Sequence, residues 1–593
     1  MRIITGILAE ALIFAMLASC GGSGGMNSIG GTGGKPQPSN TPFWGQWGAN
    51  PQHTGMVGVT GQNLTAQAAN IVYDPFVSQE QAANGGELVV HYQAPITDGN
   101  DVYMVAKSGT YSGPSSWNTQ IWGENRYTWE NGSLTQIWNF QSDWKPEPNG
   151  ADLSGWEPVF HAADANGFIY VPGAGGTIWK VNKTDGTSAS HINPFSGMNV
   201  TPADTYVSGP LSADSQGNIY FNVIELAFQP AADWALNDVQ GAWLVKVSPS
   251  DTTSVVSYSM LVPAAPLATS TTCPGTFDNL GDNGASLPWP PANVVGTNQV
   301  APTEACGSQR PGINLAPAIA PDGTIYTASM SHFDGMSAYL VAVNSNLTPK
   351  WAASLQSRLS DGCGVLVAIA PVNNPNQPNS CRNGATQGVD PRTNAAGSGE
   401  IVDQASSSPT VLPDGTVVFG TITSYNALRG HLFHFDANGN YLGAYDFGWD
   451  TTPAVYAHGA TFSIVLKDNH YDAQQYCFYN NVICQALPPG PYYITQLDAN
   501  LNVEWKFQNA TIDANHPNGY EWCINMPAVD MNGNVYVNSE DGNIYEFSQA
   551  NPAIPLGNLF LNLAIGAAYT PLSIGADGKL YTQNDGHLFV VGN

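Results

Sequence analysis

A small residue, a short strand, a tight turn and an aromatic strand recur eight times along this chain, and that recurrence limits the fold more than any other feature. The copies read APITDGNDVYMVA from Ala94, EPVFHAADANGFIYVPG from Glu157, GPLSADSQGNIYFNV from Gly209 and APAIAPDGTIYTAS from Ala316. They continue as SPTVLPDGTVVFGT from Ser408, TPAVYAHGATFSIVL from Thr452, MPAVDMNGNVYVNS from Met526 and TPLSIGADGKLYTQN from Thr570. Each gives a strand A, a turn carrying Gly or Asn/Asp, and a strand B. Many copies run on into a second hairpin of strands C and D, as in YLVAVNSNLTPKWAAS from Tyr339 and HLFHFDANGNYLGAYDFG from His431. Tyr536 and Tyr581 lie 45 residues apart where insertions are few, which is the step of a four-stranded propeller blade.

The expected fold is therefore all-β: an eight-bladed propeller of four-stranded antiparallel blades, closed radially so that few edges are exposed. The last copy stops at HLFVVGN, after strand C. An N-terminal strand in NIVYDPF from Asn70 is expected to complete it, so that removal of residues 70–76 would destabilise the whole ring.

The N-terminus gives a second domain boundary. MRIITGILAEALIFAMLASC has the form of a bacterial lipoprotein signal, with Leu17-Ala18-Ser19-Cys20 as its lipobox. The expected division is a signal peptide over 1–19, a lipidated Cys20, a flexible Gly/Ser-rich tether over 20–43 and the propeller over 44–593. Gly21 follows Cys20 where an inner-membrane retention signal would have Asp, so the outer membrane is the expected destination, on its periplasmic or exposed side. The formal charge of −28 sets the chain against nucleic acid and anionic lipid surfaces and leaves proteins, glycans and cations as partners. Seven further cysteines suit an exported chain; Cys273 with Cys306, Cys363 with Cys381 and Cys477 with Cys484 are the preferred pairs. Cys523 is then the odd one, and an exchange of Cys477 or Cys484 with Cys523 stays open.

The leader WGQWGANPQHTGMVGV from Trp44, the Asp-Gly-x-Ile/Val-Tyr repeats and the Trp-ended D strands NLTPKW and NLNVEW resemble the pyrroloquinoline-quinone-type (quinoprotein-like) propeller superfamily over residues 44–593. The resemblance implies the eight-bladed fold. It leaves function divided, because that superfamily holds both quinone- and calcium-dependent dehydrogenases and non-catalytic members such as the scaffold lipoprotein of outer-membrane barrel assembly.

Insertions favour one face. The long segments at 108–118, 226–241, 259–314, 356–407, 468–491 and 509–525 are all B–C or D–A connections, which lie on the same side of a propeller, while A–B turns stay short. Long ordered loops on a rigid scaffold are where binding is expected. Residues just before strand A stand nearest the axis there, and they supply the candidate ligand-binding set: Trp156, Glu157, Tyr206, Arg310, Asp403, Trp449, Asp450, Glu521, Trp522 and Asn525. Aromatic planes beside carboxylates and amides suit a sugar, a quinone or an oxygen-ligated cation. The adjacent-cysteine pair of many quinoproteins is absent, as are Cys-x-x-Cys-His, Gly-x-Ser-x-Gly and His-Glu-x-x-His. His431 and His434 fall on opposite faces of one strand. The leading expectation is a monomeric, lipid-anchored propeller that binds a protein or glycan through its looped face, without cofactor. The alternatives are a dehydrogenase using pyrroloquinoline quinone and Ca²⁺, and a polysaccharide-cleaving enzyme with axial carboxylates.

Overall fold

The structure is a computed structural model, which describes residues 43–593 apart from 87, 89, 91, 114–116, 147–158, 227–236, 270–271, 275–302, 362–388, 391–394, 404, 406, 424–428, 471–489, 523 and 564–570. The repeats fold as eight antiparallel sheets, one per copy, each with its strands in A–B–C–D order. Numbered along the chain, blade 1 covers residues 96–141, blade 2 163–192, blade 3 205–257 and blade 4 309–354. Blade 5 covers 410–446, blade 6 454–508 and blade 7 528–560, while blade 8 joins 572–591 to a strand from the N-terminus.

That closing strand is Gln67–Val72, set antiparallel against His587–Val591 with Asn70 opposite Phe589 and Val72 opposite His587. It begins three residues earlier than the expected segment, and Tyr73–Phe76 has already left the sheet. The main-chain carbonyl of Tyr73 instead accepts the Lys107 N–H of blade 1, and a short helix, Val77–Ala83, follows. The tail of NIVYDPF thus stitches blade 8 to blade 1.

All eight copies place proline after their first residue: Pro95, Pro158, Pro210, Pro317, Pro409, Pro453, Pro527 and Pro571. Strand A is the innermost of its blade and one edge has no strand neighbour, so a residue without an N–H breaks no ladder there. The residue before it is held against the axis, and Ala94, Ala316, Ser408 and Thr452 are fully buried. In blades 3 and 4 strand A is split around this proline, with Thr205–Val207 and Ser212–Ala213 both pairing with Ile219–Glu225, and Gln309–Pro311 and Ala318–Ile319 both pairing with Ile325–Ser331.

Tryptophans at the ends of D strands join neighbouring blades. Trp138 Nε1 donates to the Lys183 carbonyl in the C–D turn of blade 2, and Trp351 Nε1 donates to the Ala437 carbonyl in that of blade 5, both at 2.9 Å. Gly186 and Gly439 in those turns have φ of 71° and 83°, and a Cβ at either would approach the indole to 2.7 or 2.8 Å. Glycine is therefore required twice over, by backbone conformation and by contact.

The leader is the least expected element. Running in chain order, it touches the A–B turn end of each innermost strand in turn. Trp44's place in blade 1 is fixed by N–H and C=O bonds to Thr97, and Gly45 accepts the Asp164 N–H of blade 2 at 2.7 Å. Gln46 accepts from the Ala213 N–H of blade 3, and Pro51 from Ile319 of blade 4. Gln52, Thr54 and Gly55 accept the N–H groups of Val411, Val455 and Val529 in blades 5, 6 and 7, and the Gln62 N–H reaches Gly578 of blade 8. Trp47, fully buried, reaches the axis itself: it packs with Val159 of blade 2 and Ala316 of blade 4, meets the His161 ring edge-on at 5.4 Å and donates to Ser408 Oγ of blade 5 at 3.1 Å. The leader side of the axis is closed by this belt and its tryptophan.

Candidate functional site

At the other end of the axis the described B and D strands end and the C and A strands begin, and Cys273–Cys306 forms a disulfide within the 259–314 insertion. The pairs Cys363/Cys381 and Cys477/Cys484, and Cys523, lie outside the described residues.

Two charged centres stand at this mouth. Arg310, on the upper half of strand A in blade 4, grips Asp403 through both terminal nitrogens, at 2.8 and 2.5 Å, while its Nε donates to His332 Nδ1 at 2.9 Å. Asp403 Oδ1 also accepts the Ile313 N–H at 3.1 Å. Burial alone would raise the Asp403 carboxyl, but the Arg310 charge and these hydrogen bonds outweigh it and hold the group below the usual carboxylate range. The second centre is Lys467, fully buried, whose ammonium lies 3.3 Å from Asp450 Oδ2 and within the field of Glu521 and Glu540. Burial dominates there and lowers the Lys467 amine despite those acids. Trp449 stands between the two centres, lining a narrow crevice with Ile313, Glu400 and Phe419.

The structure thus joins Arg310 to Asp403, and gathers Asp450 and Glu521 around Lys467. His332 and Lys467 were missed because both sit at the far ends of B strands, where nothing in a repeat marks the strand as reaching the mouth. Tyr206 is half-buried on the rim with its hydroxyl donating to the Ala203 carbonyl at 2.9 Å. Trp522 and Asn525 have structural places. The indole of Trp522 is fully buried against Phe507, Tyr545 and Phe547 and donates to the Tyr492 carbonyl at 3.3 Å. Asn525 Oδ1 accepts the Thr452 N–H, tying blade 7 to blade 6. Asn314 does the same across the axis, accepting the Val159 N–H at 2.9 Å, and Gln93 accepts that of Ala162 at 2.8 Å. An amide before strand A is therefore a strut between blades. Trp156 and Glu157 lie outside the described residues. His431 and His434 do point apart, the first to Asp361 at 2.8 Å and the second to Thr416 at 2.8 Å.

Solved structures share this architecture. The quinohemoprotein alcohol dehydrogenase from Comamonas testosteroni aligns with a TM-score of 0.50 at 11% identity, over 93% of this chain and 81% of its own. The chain carries the eight-bladed fold of the quinoprotein-type propellers. A europium-containing methanol dehydrogenase aligns with a TM-score of 0.47 at 10% identity, over 91% of this chain and 89% of that one. BamB from Moraxella catarrhalis aligns at 0.31 and 10% identity, over 82% and 98%. At such identities the likeness speaks for the fold alone. No protein-family model and no curated protein matches the sequence.

The residues present can be tested against the dehydrogenases' cofactor. Pyrroloquinoline quinone is a tricarboxylate, and the two cations of the mouth already face buried carboxylates. Among the described residues no group of three or more His, Cys, Asp or Glu side chains is placed to hold a metal ion. Glycoside cleavage asks for a carboxyl with a raised pKa, and Asp403 is shifted the other way.

Proposed function

We propose that this protein is a binding module that engages a protein or glycan with its looped face, presented from the cell envelope through a lipid on Cys20. The observation that carries the reading is the contrast between the two ends of the axis. One end is closed by the leader and Trp47, while the other is where the long connections start and return, with a disulfide and the buried pairs Arg310–Asp403 and Lys467–Asp450. Rim residues such as Tyr206 offer the half-exposed aromatic contacts typical of recognition sites.

The test is capture from envelope extracts by the full chain and by a variant in which residues 268–306, both cysteines of the disulfide included, are replaced by a short turn that leaves strand Gln309–Pro311 intact. Loss of the captured partner with the ring's melting transition retained supports the reading; undiminished capture overturns it. The anchor is tested apart from this, by metabolic labelling with a palmitate analogue in the wild type and in Cys20→Ala.

A further inference from the structure

Away from the axis, a cleft of about 420 Å³ opens at the seam where the closing strand leaves blade 8 and meets the outer strands of blade 1. Val72, Tyr73 and Pro75 form one wall, and Ser108, Asn125, Gln136, Asn139 and Gln141 line the other. Its size lies in the range of small-molecule sites, whose ligands are chosen by a few placed polar groups.

The lining presents no formal charge. Lys107 borders the cleft, but its ammonium is turned into the seam, 2.8 Å from both Asp74 and Glu80, with all three side chains 0–4% exposed. A phosphate or carboxylate would find no available cation, and an ammonium no available carboxylate.

The cleft offers amides and hydroxyls instead. Asn125, itself buried, accepts from Gln136 Nε2 at 3.3 Å and from Asn139 Nδ2 at 2.8 Å, and donates to the Tyr127 hydroxyl at 2.9 Å. One buried amide therefore orients two exposed ones by their nitrogens. The carbonyl oxygens Gln136 Oε1 and Asn139 Oδ1 are left without a partner among the described residues, as are the side chains of Ser108 and Gln141. Opposite them stands the apolar surface of Pro75 and of Val72, which is 56% exposed. A wholly apolar ligand would strand the amides at the cost of their hydrogen bonds to water.

We propose that this seam cleft binds a neutral saccharide chain. Each sugar hydroxyl both donates and accepts, matching fixed carbonyl acceptors beside amide and hydroxyl donors, and the C–H face of a pyranose matches the Val72 and Pro75 wall. The site lies outside the axial mouth and does not depend on the looped-face reading.

The experiment is calorimetric titration of the full chain with cellotetraose, maltotetraose, mannotetraose and tetra-N-acetylchitotetraose, with tetragalacturonate and tetraalanine as competing chemistries. At least one neutral saccharide is expected to bind, and the Gln136→Ala/Asn139→Ala variant is expected to weaken it about tenfold or more. Both residues are exposed, so the thermal transition of that variant should match the wild type. Val503→Ala, on the exposed outer strand of blade 6, should bind as wild type. Absence of binding by all four saccharides overturns the proposal. So does equal binding by the double variant, loss of binding in Val503→Ala, or preference for tetragalacturonate or tetraalanine.

Discussion

At the turn face of the ring, residues 43–62 reach the innermost strands through main-chain hydrogen bonds; at the looped face, neighbours are joined by side chains, as Arg310 is to Asp403. The first arrangement depends little on side-chain identity and leaves little room for variation in length. The second tolerates insertions of any length between blades, because each joint is local. A propeller can therefore elaborate one face freely only while the other is held by something that does not change, and here the leader holds it.

The comparison breaks most severely if the closing strand is removed. Deleting residues 67–72 takes the D strand from blade 8 and the link from Tyr73 to Lys107, and cooperative unfolding of the whole ring should be lost, as read by circular dichroism. A sharp residual transition would show that the blades are stable singly. Trp47→Ala empties the axis and should cost about 3–5 kcal/mol in a urea melt. Arg310→Ala leaves Asp403 buried without its partner and should cost about 3–5 kcal/mol as well. The two differ in location: hydrogen exchange should report loosening at the turn face for the first and at the loop rim for the second.

A pH series sharpens the contrast further. Asp403 is held below its ordinary value, so in the folded state it releases its proton more readily than in the unfolded chain. Its contribution is present above the unfolded value near 4 and is lost as pH falls through the folded one. Acid should weaken the rim. Blade 1 behaves oppositely. Burial raises Glu124 to about 8 and, against the pull of Lys107, Glu80 to about 7. The folded state then binds more protons than the unfolded one between the ordinary value of 4.5 and these values, so stability falls as pH rises through that window. Melting temperature should be lower at pH 9 than at pH 6, and Glu124→Gln should remove part of that slope, on the order of a few kcal/mol. The smallest effect is expected for Tyr206→Ala, within about 0.5 kcal/mol in stability but with reduced partner capture if the rim is the contact surface.

Eight blades and their strand order were legible because each copy repeats its turn residues and its strand periodicity. The closing strand was legible because a D strand was missing at the other end, although its start was misplaced by three residues: QAANIV has no strong strand composition before Ile71. The leader could be recognised but not placed, since its bonds are mostly main-chain and leave no side-chain pattern. At the mouth, Arg310 and Asp403 were both named, but not as partners, because 93 residues and a blade boundary separate them. Asn525 accepts the Thr452 N–H beside the start of strand A of blade 6, while Trp522 packs outward against strand D of blade 6 and strand C of blade 7 instead of lining the mouth; position along a strand does not tell which way a side chain turns.

The order in which the belt meets its partners bears on how the molecule is born. Residues 43–62 are made before any blade, yet the partners of their last part, in blades 7 and 8, lie about 470–515 residues later. Residues 55–62 must wait, unsatisfied, until almost the whole polypeptide has been made. Such distant pairings are slow to form and leave half-finished rings with open strand edges. Assembly of this protein should accordingly be the step most sensitive to holding factors, with the end of the leader, made before every blade, being the last to settle.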